Sequence, residues 1–213
     1  MAASSSKAIV SYRTGKRYGE NTDLFIRDLR ERVLGSPEIS ADGWRHYPPA
    51  IRDAFGNSVT FGQIVKTYSV VNLAVKEAAR RYSPAEVIAV SRDVVTGIPA
   101  NISTSHVERS HLSLRMANKR FARLGNGFSK RLPQHAAAVS LYVGHYNLCR
   151  VHEALTPSAA RQTTPAMAAG IADHVWSIGE LLDASLALGP VEPTTTAPER
   201  RRQFRVIQGG RAD

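Results

Sequence analysis

The sequence predicts an α/β domain, and three observations carry that prediction. Strand-like and helix-like segments alternate from Ala8 to Phe55. A short apolar run ends in Asp42-Gly43, an acid followed by the most permissive turn residue, as at the rim of a sheet. The chain's 213 residues, 43% of them hydrophobic, are enough to bury one core.

Taken in order, Ala8 to Arg13 reads as a strand that closes at Gly15. Asn21 or Thr22 caps a helix to about Leu34, with Leu24, Phe25, Leu29 and Val33 on one face and Gly35 as its stop. Pro37 to Gly43 is the strand that carries Asp42, and Pro48-Pro49 opens a short helix through Phe55 that ends at Gly56. Val59 to Tyr68 is strand-like, Val75 to Arg81 is a basic helix candidate, and Val87 to Val95 is apolar. This stretch reads either as an insertion with an extra strand or as a mobile loop.

Two long helices are predicted next, over Ser103 to Arg123 and Gln134 to Leu155, separated by Gly125, Gly127 and Pro133. Ala137, Leu141, Tyr142, Leu148 and Cys149 supply apolar positions on the second. Residues 189–213 turn Pro/Thr-rich and then basic at Arg200, Arg201, Arg202 and Arg205, a composition that predicts a disordered tail.

A formal net charge of +10 implies an anionic partner, of which nucleic acid is the first candidate. The charge is clustered. Arg109, Arg115, Lys119, Arg120, Arg123, Lys130 and Arg131 share one segment whose only acid is Glu108, a strip able to track phosphates. The single cysteine, Cys149, excludes an internal disulfide and a cysteine-based zinc site and suits a reducing cytoplasm. The small, polar N-terminus predicts no secretory signal, and no apolar run reaches membrane-spanning length. Neither a Ser/His/Asp nucleophile nor a nucleotide-binding glycine loop is suggested.

Asp42 and Glu108 are the candidate metal-binding and catalytic pair. Glu108 falls in the first turn of a helix that Thr104 or Ser105 can cap. Carboxylates on two separate elements can bridge hard divalent cations that share their other positions with phosphate. Each acid also has a plain structural reading, Asp42 as a turn residue and Glu108 as a charge favoured at a helix start. Asn147 and Arg150, three apart, are placed on one helix face, suited either to phosphate contact and support of Glu108 or to helix packing. His106, His111, His152 and His174 lack paired zinc spacing and read as surface or hydrogen-bonding residues.

Several ordered blocks carry a resemblance. They are His106-Val107-Glu108-Arg109, Arg115 to Leu124, Phe128-Ser129-Lys130, and Tyr146-Asn147-Leu148-Cys149-Arg150-Val151-His152, which matches a Tyr-Asn-x-x-Arg-x-His pattern. Ser40-Ala41-Asp42-Gly43 with Tyr47 lies upstream, and Thr164 to Gly170 with His174 to Ser177 lies downstream. In these blocks, over residues 7–183, the chain resembles the catalytic domain of DDE-type insertion-sequence transposases, relatives of retroviral integrases.

That resemblance implies an RNase H-like fold, a central mixed sheet flanked by helices, here with its first strand incomplete or missing. It implies two Mg²⁺ or Mn²⁺ ions held by Asp42 and Glu108, DNA as the partner, and homo-oligomers acting on paired ends. Arg109, Arg115, Lys119, Arg120, Arg123, Asn147 and Arg150 become DNA-binding residues. The family's first catalytic aspartate falls in register with Ala3, so the domain is expected to be truncated at its N-terminus. The alternative is an inactive remnant with at most nonspecific DNA binding. A host RNase H-like nuclease has no supporting motif.

Overall fold

A computed structural model describes residues 1–68, 87–121, 126–127, 129–156 and 162–189. At its centre is a three-stranded sheet in the order β1 (Glu38–Asp42), β2 (Thr60–Tyr68), β3 (Val87–Thr96). β1 and β2 are parallel, with Glu38 opposite Thr60 and Asp42 opposite Ile64. Parallel neighbours need a crossover, and helix α2 (Tyr47–Phe55) supplies it. β3 returns antiparallel to β2. Among the described residues the remaining α-helices are α1 (Gly19–Arg32), α3 (Ser105–Ala117), α4 (Leu132–Gly144), α5 (Pro165–Ala168) and α6 (Ile178–Ala187). The fold is therefore mixed α/β, with a mixed sheet flanked by helices. Among the described residues no helix is long and apolar enough to cross a membrane.

One face of the sheet forms the core. Ile39 and Ala41 alternate inward along β1, Phe61 stands opposite Ile39, and Ile26, Leu29, Ala50, Ile51 and Phe55 close over them from α1 and α2. Burying each large apolar side chain is worth about 1.5–3 kcal/mol, so this cluster fixes the helices on the sheet. The α2 boundaries lie where the sequence puts them, with proline in the first turn and Gly56 at φ 57° after the last.

α1 differs from its prediction in two ways. It starts at Gly19 behind Tyr18, without a side-chain cap. Asn21 turns its amide back to the Lys16 carbonyl (2.7 Å), and the Thr22 hydroxyl donates to the Tyr18 carbonyl (3.0 Å). The buried stripe runs through Thr22, Ile26 and Leu29, whereas Leu24 faces solvent at 37% exposure. Thr22, Ile26 and Leu29 follow the 3.6-residue period, and Leu24 lies outside that face.

The strand predicted over Ala8 to Arg13 does not join the sheet. Its one ladder contact is an isolated bridge between Ala2 and Ile9. On that edge Ala3 N–H donates to Ala8 (2.8 Å) and Val10 N–H to Met1 (2.9 Å). On the other edge the Asn147 side chain takes the place of a neighbouring strand. Its Oδ1 accepts from Ile9 N–H (2.9 Å) and its Nδ2 donates to Ile9 O (3.0 Å). Ile9 and the groups beside it are thus paired without a strand of the sheet as partner.

Both late helices are shorter than predicted. α3 stops at Ala117, where Asn118 is extended and its Oδ1 accepts from Arg120 N–H (3.0 Å) ahead of a 3₁₀ turn over Lys119–Phe121. α4 passes into a π-helical turn over His145–Cys149, and Arg150 is already extended. Trp176 N–H donates to the Leu148 carbonyl (3.0 Å), closing that end from the C-terminal segment. The helix candidate over Val75 to Arg81 and the tail beyond Gly189 lie outside the described residues.

Asn147→Ala should lower stability by about 1–3 kcal/mol, the cost of leaving partly buried backbone groups unpaired. Urea unfolding measures the loss, and faster amide exchange at Ile9 localises it.

Candidate functional site

On β1 the residues alternating with the core, Glu38, Ser40 and Asp42, point to the second face of the sheet. A crossing segment is fastened to that face. Glu38 accepts from Ala100 N–H (2.9 Å) and Asn101 N–H (3.1 Å), while Ser40 Oγ accepts from Ser103 N–H (3.3 Å) and donates to Asn101 O (3.3 Å). The two backbone donors hold the Glu38 carboxyl below its usual range. Between them Ile102 presses onto Gly62, where a Cβ would lie 2.5 Å from the Ile102 Cδ1. The segment leads directly into α3.

This crossing decides where Glu108 goes. In the first turn of α3 its carboxylate accepts from Lys66 Nζ of β2 (2.9 Å) and from Thr104 Oγ1 (3.1 Å). Lys66 first, and then Thr104, hold Glu108 below the usual carboxylate range. Asp42 stands opposite Ile64, and Lys66 is two residues further along the same strand face, about 7 Å on. Residues 66 positions apart in sequence thus border one sheet face.

Asp42 is paired in the same way. Arg17 Nη2 donates to Asp42 Oδ2 (2.8 Å), its guanidinium lies over the Trp44 ring (4.4 Å), and Trp44 N–H donates to Asp42 Oδ1 (3.3 Å). Trp44 is fixed in turn by its indole N–H on Thr22 Oγ1 (3.1 Å). Gln63 Nε2 donates to the Asp42 carbonyl (2.8 Å) and the Trp44 carbonyl (3.3 Å), holding the turn that follows β1.

Asp42 and Trp44 border an open cleft of about 680 Å³, with the loop from Tyr12 to Tyr18 on one side and Val107, His111 and Arg115 of α3 on another. His111, one turn beyond Glu108, keeps an exposed side. Even so, desolvation, the Met1 ammonium and Arg115 push its pKa below the ordinary imidazole value, against the pull of Asp42 and Glu108. Both candidate carboxylates are therefore within electrostatic reach of one ring in the cleft.

The other predicted residues are placed unevenly. Arg109, Arg115, Lys119 and Arg120 are exposed along α3 and the turn after it, and Arg115 also lines the cleft. Arg123 lies outside the described residues. Asn147 and Arg150 do not share a helix face, because Arg150 is beyond the π turn, with its guanidinium 6.0 Å from the Tyr146 ring centroid. Asn147 is committed to Ile9. What the sequence reading missed is the loop carrying Arg13, Lys16 and Arg17, together with His111. Three cations within five residues around Thr14-Gly15 are the same kind of clustering that marked the α3 strip.

Carboxylate oxygens suit Mg²⁺ or Mn²⁺ in kind, but the donor set is short in number. Among the described residues no group of three or more His, Cys, Asp or Glu side chains could hold a metal ion, and Asp42 and Glu108 each already face a cation. Comparison with family models, curated proteins and solved structures gave no match to the chain.

Gly62→Val should drive a side chain into Ile102 and cost about 1–3 kcal/mol by overpacking, read as a lowered urea midpoint. Lys66→Met should return the Glu108 pKa toward its ordinary value, measured by NMR titration of the side-chain carboxyl. Because that pKa is depressed in the folded state, the pair's stabilisation is present above the unfolded carboxyl's pKa and is lost as pH falls through the folded one. With both side chains exposed, the loss should be no more than about 1 kcal/mol.

Proposed function

We propose that the chain is the catalytic domain of a DDE-type insertion-sequence transposase with an RNase H-like fold, a Mg²⁺- or Mn²⁺-dependent enzyme that cleaves and joins DNA. One observation carries the reading. Asp42 at the end of β1 and Glu108 in the first turn of α3, far apart in sequence, border the same sheet face at the head of a basic helix.

In this reading Asp42 and Glu108 would hold the ions, which would supply activation of the attacking oxygen and stabilisation of the leaving one. Arg17 and Lys66 stand in for those cations in the structure described and give way to them. Exposed ion pairs of this kind are worth about 0–1 kcal/mol, so the exchange is cheap. Arg115 in the cleft and Arg109, Lys119 and Arg120 beyond it position the phosphate backbone. Water attacks a phosphodiester at the element's end and releases a 3′-hydroxyl. That hydroxyl then attacks a phosphodiester of target DNA and expels its 3′-oxygen, with no covalent enzyme intermediate. Homo-oligomers working on paired ends in the cytoplasm belong to the same proposal.

Ala3 favours a second reading. Its methyl stands in the register of the family's first aspartate, and its backbone N–H is engaged with Ala8. A site of two carboxylates binds metal weakly, as in an inactive remnant that retains only nonspecific DNA binding.

Nicking of supercoiled DNA in Mn²⁺ separates the readings. Asp42→Ala and Glu108→Ala should each reduce nicking more than about 100-fold, beyond the 10–100-fold typical of outer-shell partners, and Ala3→Asp should raise it. Nicking that survives both alanine substitutions would sink the site assignment. An inert chain that Ala3→Asp does not revive would establish the remnant.

A further inference from the structure

We propose that the cleft beside Asp42 receives an unpaired DNA strand, one or two nucleotides of it, in preference to duplex. The inference rests on the DNA-processing reading above and narrows its substrate.

Charge complementary to phosphate stands on both walls. One wall is the loop of Arg13, Lys16 and Arg17, and α1 holds it in shape. Arg13 Nε donates to Asn21 Oδ1 (3.0 Å), and Asn21 Nδ2 donates to Lys16 O (2.7 Å). The opposing wall carries Arg115 of α3.

Aromatic faces lie between the charges, each already covered by a cation. Arg17 lies over Trp44 at 4.4 Å and Lys16 over Tyr18 at 5.8 Å. Trp44 has its indole N–H satisfied by Thr22, so the π face is what it offers. Stacked bases bound beside a basic groove are the recurring mode of single-strand recognition, and a base stack suits any sequence.

Size selects the strand. About 680 Å³ falls within the roughly 300–1,000 Å³ of small-ligand sites, room for one or two nucleotides. A duplex, with two backbones and its paired bases, needs more room than one or two nucleotides and is left to the exposed strip of α3. A base that stacks on Trp44 displaces Arg17 from the ring. Arg17 is then released from Asp42 to follow the phosphate, so the strand's arrival frees the carboxylate.

The test is binding in EDTA, read by fluorescence anisotropy of a labelled oligothymidylate of about six nucleotides, within the known range of single-strand sites, against a blunt hairpin duplex. Expected are at least about tenfold tighter binding of the strand and a further loss of at least about fivefold for the strand alone in Tyr18→Ala, the lower end for one base stack. Lys16→Ala should lower the strand's slope of log affinity against log salt by about 0.7. Both side chains are exposed, and an unchanged melting temperature shows that the variants fold. With Trp176→Phe in the background, the strand should quench Trp44 emission. Equal affinity for strand and duplex, equal losses on both in Tyr18→Ala, or no strand binding overturns the proposal. Strand binding without nicking in Mn²⁺, in the Ala3→Asp variant as well, supports the cleft and sinks the transposase reading instead.

Discussion

The crossing of residues 100–103 over the outer face of β1 and β2 is the contact on which the candidate site depends. Glu38 and Ser40 bind its backbone by four hydrogen bonds, and Gly62 lets Ile102 approach closer than any side chain at that position would allow. Because α3 starts three residues beyond Ile102, this clamp sets the helix origin and with it the height of Glu108 above the sheet. The core on the opposite face holds β1 and β2 in register, and it bears on Glu108 through this crossing and through Lys66 of β2.

Two carboxylates in a strongly basic chain do not stay uncompensated. Arg17 and Lys66 serve as internal counterions for Asp42 and Glu108, at 2.8 and 2.9 Å. Both pairs are solvated, so each contributes little stability and can be exchanged at low cost. Solvated pairing is compatible with a site that binds other cations. A buried pair would resist exchange by several kcal/mol once one partner left. Trp44 ties this arrangement to the cleft, since Arg17 holds Asp42 and covers the indole ring at the same time.

Much of the local structure was legible in the residues. Pro48-Pro49 and Gly56 bound α2, Gly35 follows α1 at φ 72°, and Glu108 lies in a first turn, because turn and cap chemistry acts over a few residues. Leu24 misled because apolar character alone does not choose a helix face. The short element at Ala8 to Arg13 has strand composition, yet its ladder groups pair with Met1 to Ala3 and with Asn147, a residue 138 positions away from Ile9. Arg150 left its helix because the chain passes through a π turn there and the C-terminal segment closes that end.

By itself, therefore, the sequence determined the α/β class, the strand ending at Asp42, the helix opening at Glu108 and the basic strip behind it. Each follows from side-chain periodicity, turn residues or charge within one short window. The tertiary structure alone decided that Asp42 and Glu108 border one sheet face, that Arg17 and Lys66 neutralise them, and that the loop of Arg13, Lys16 and Arg17 faces α3 across a cleft. Those relations depend on strand register and on a close contact at a glycine, and no local pattern encodes which distant residues will meet.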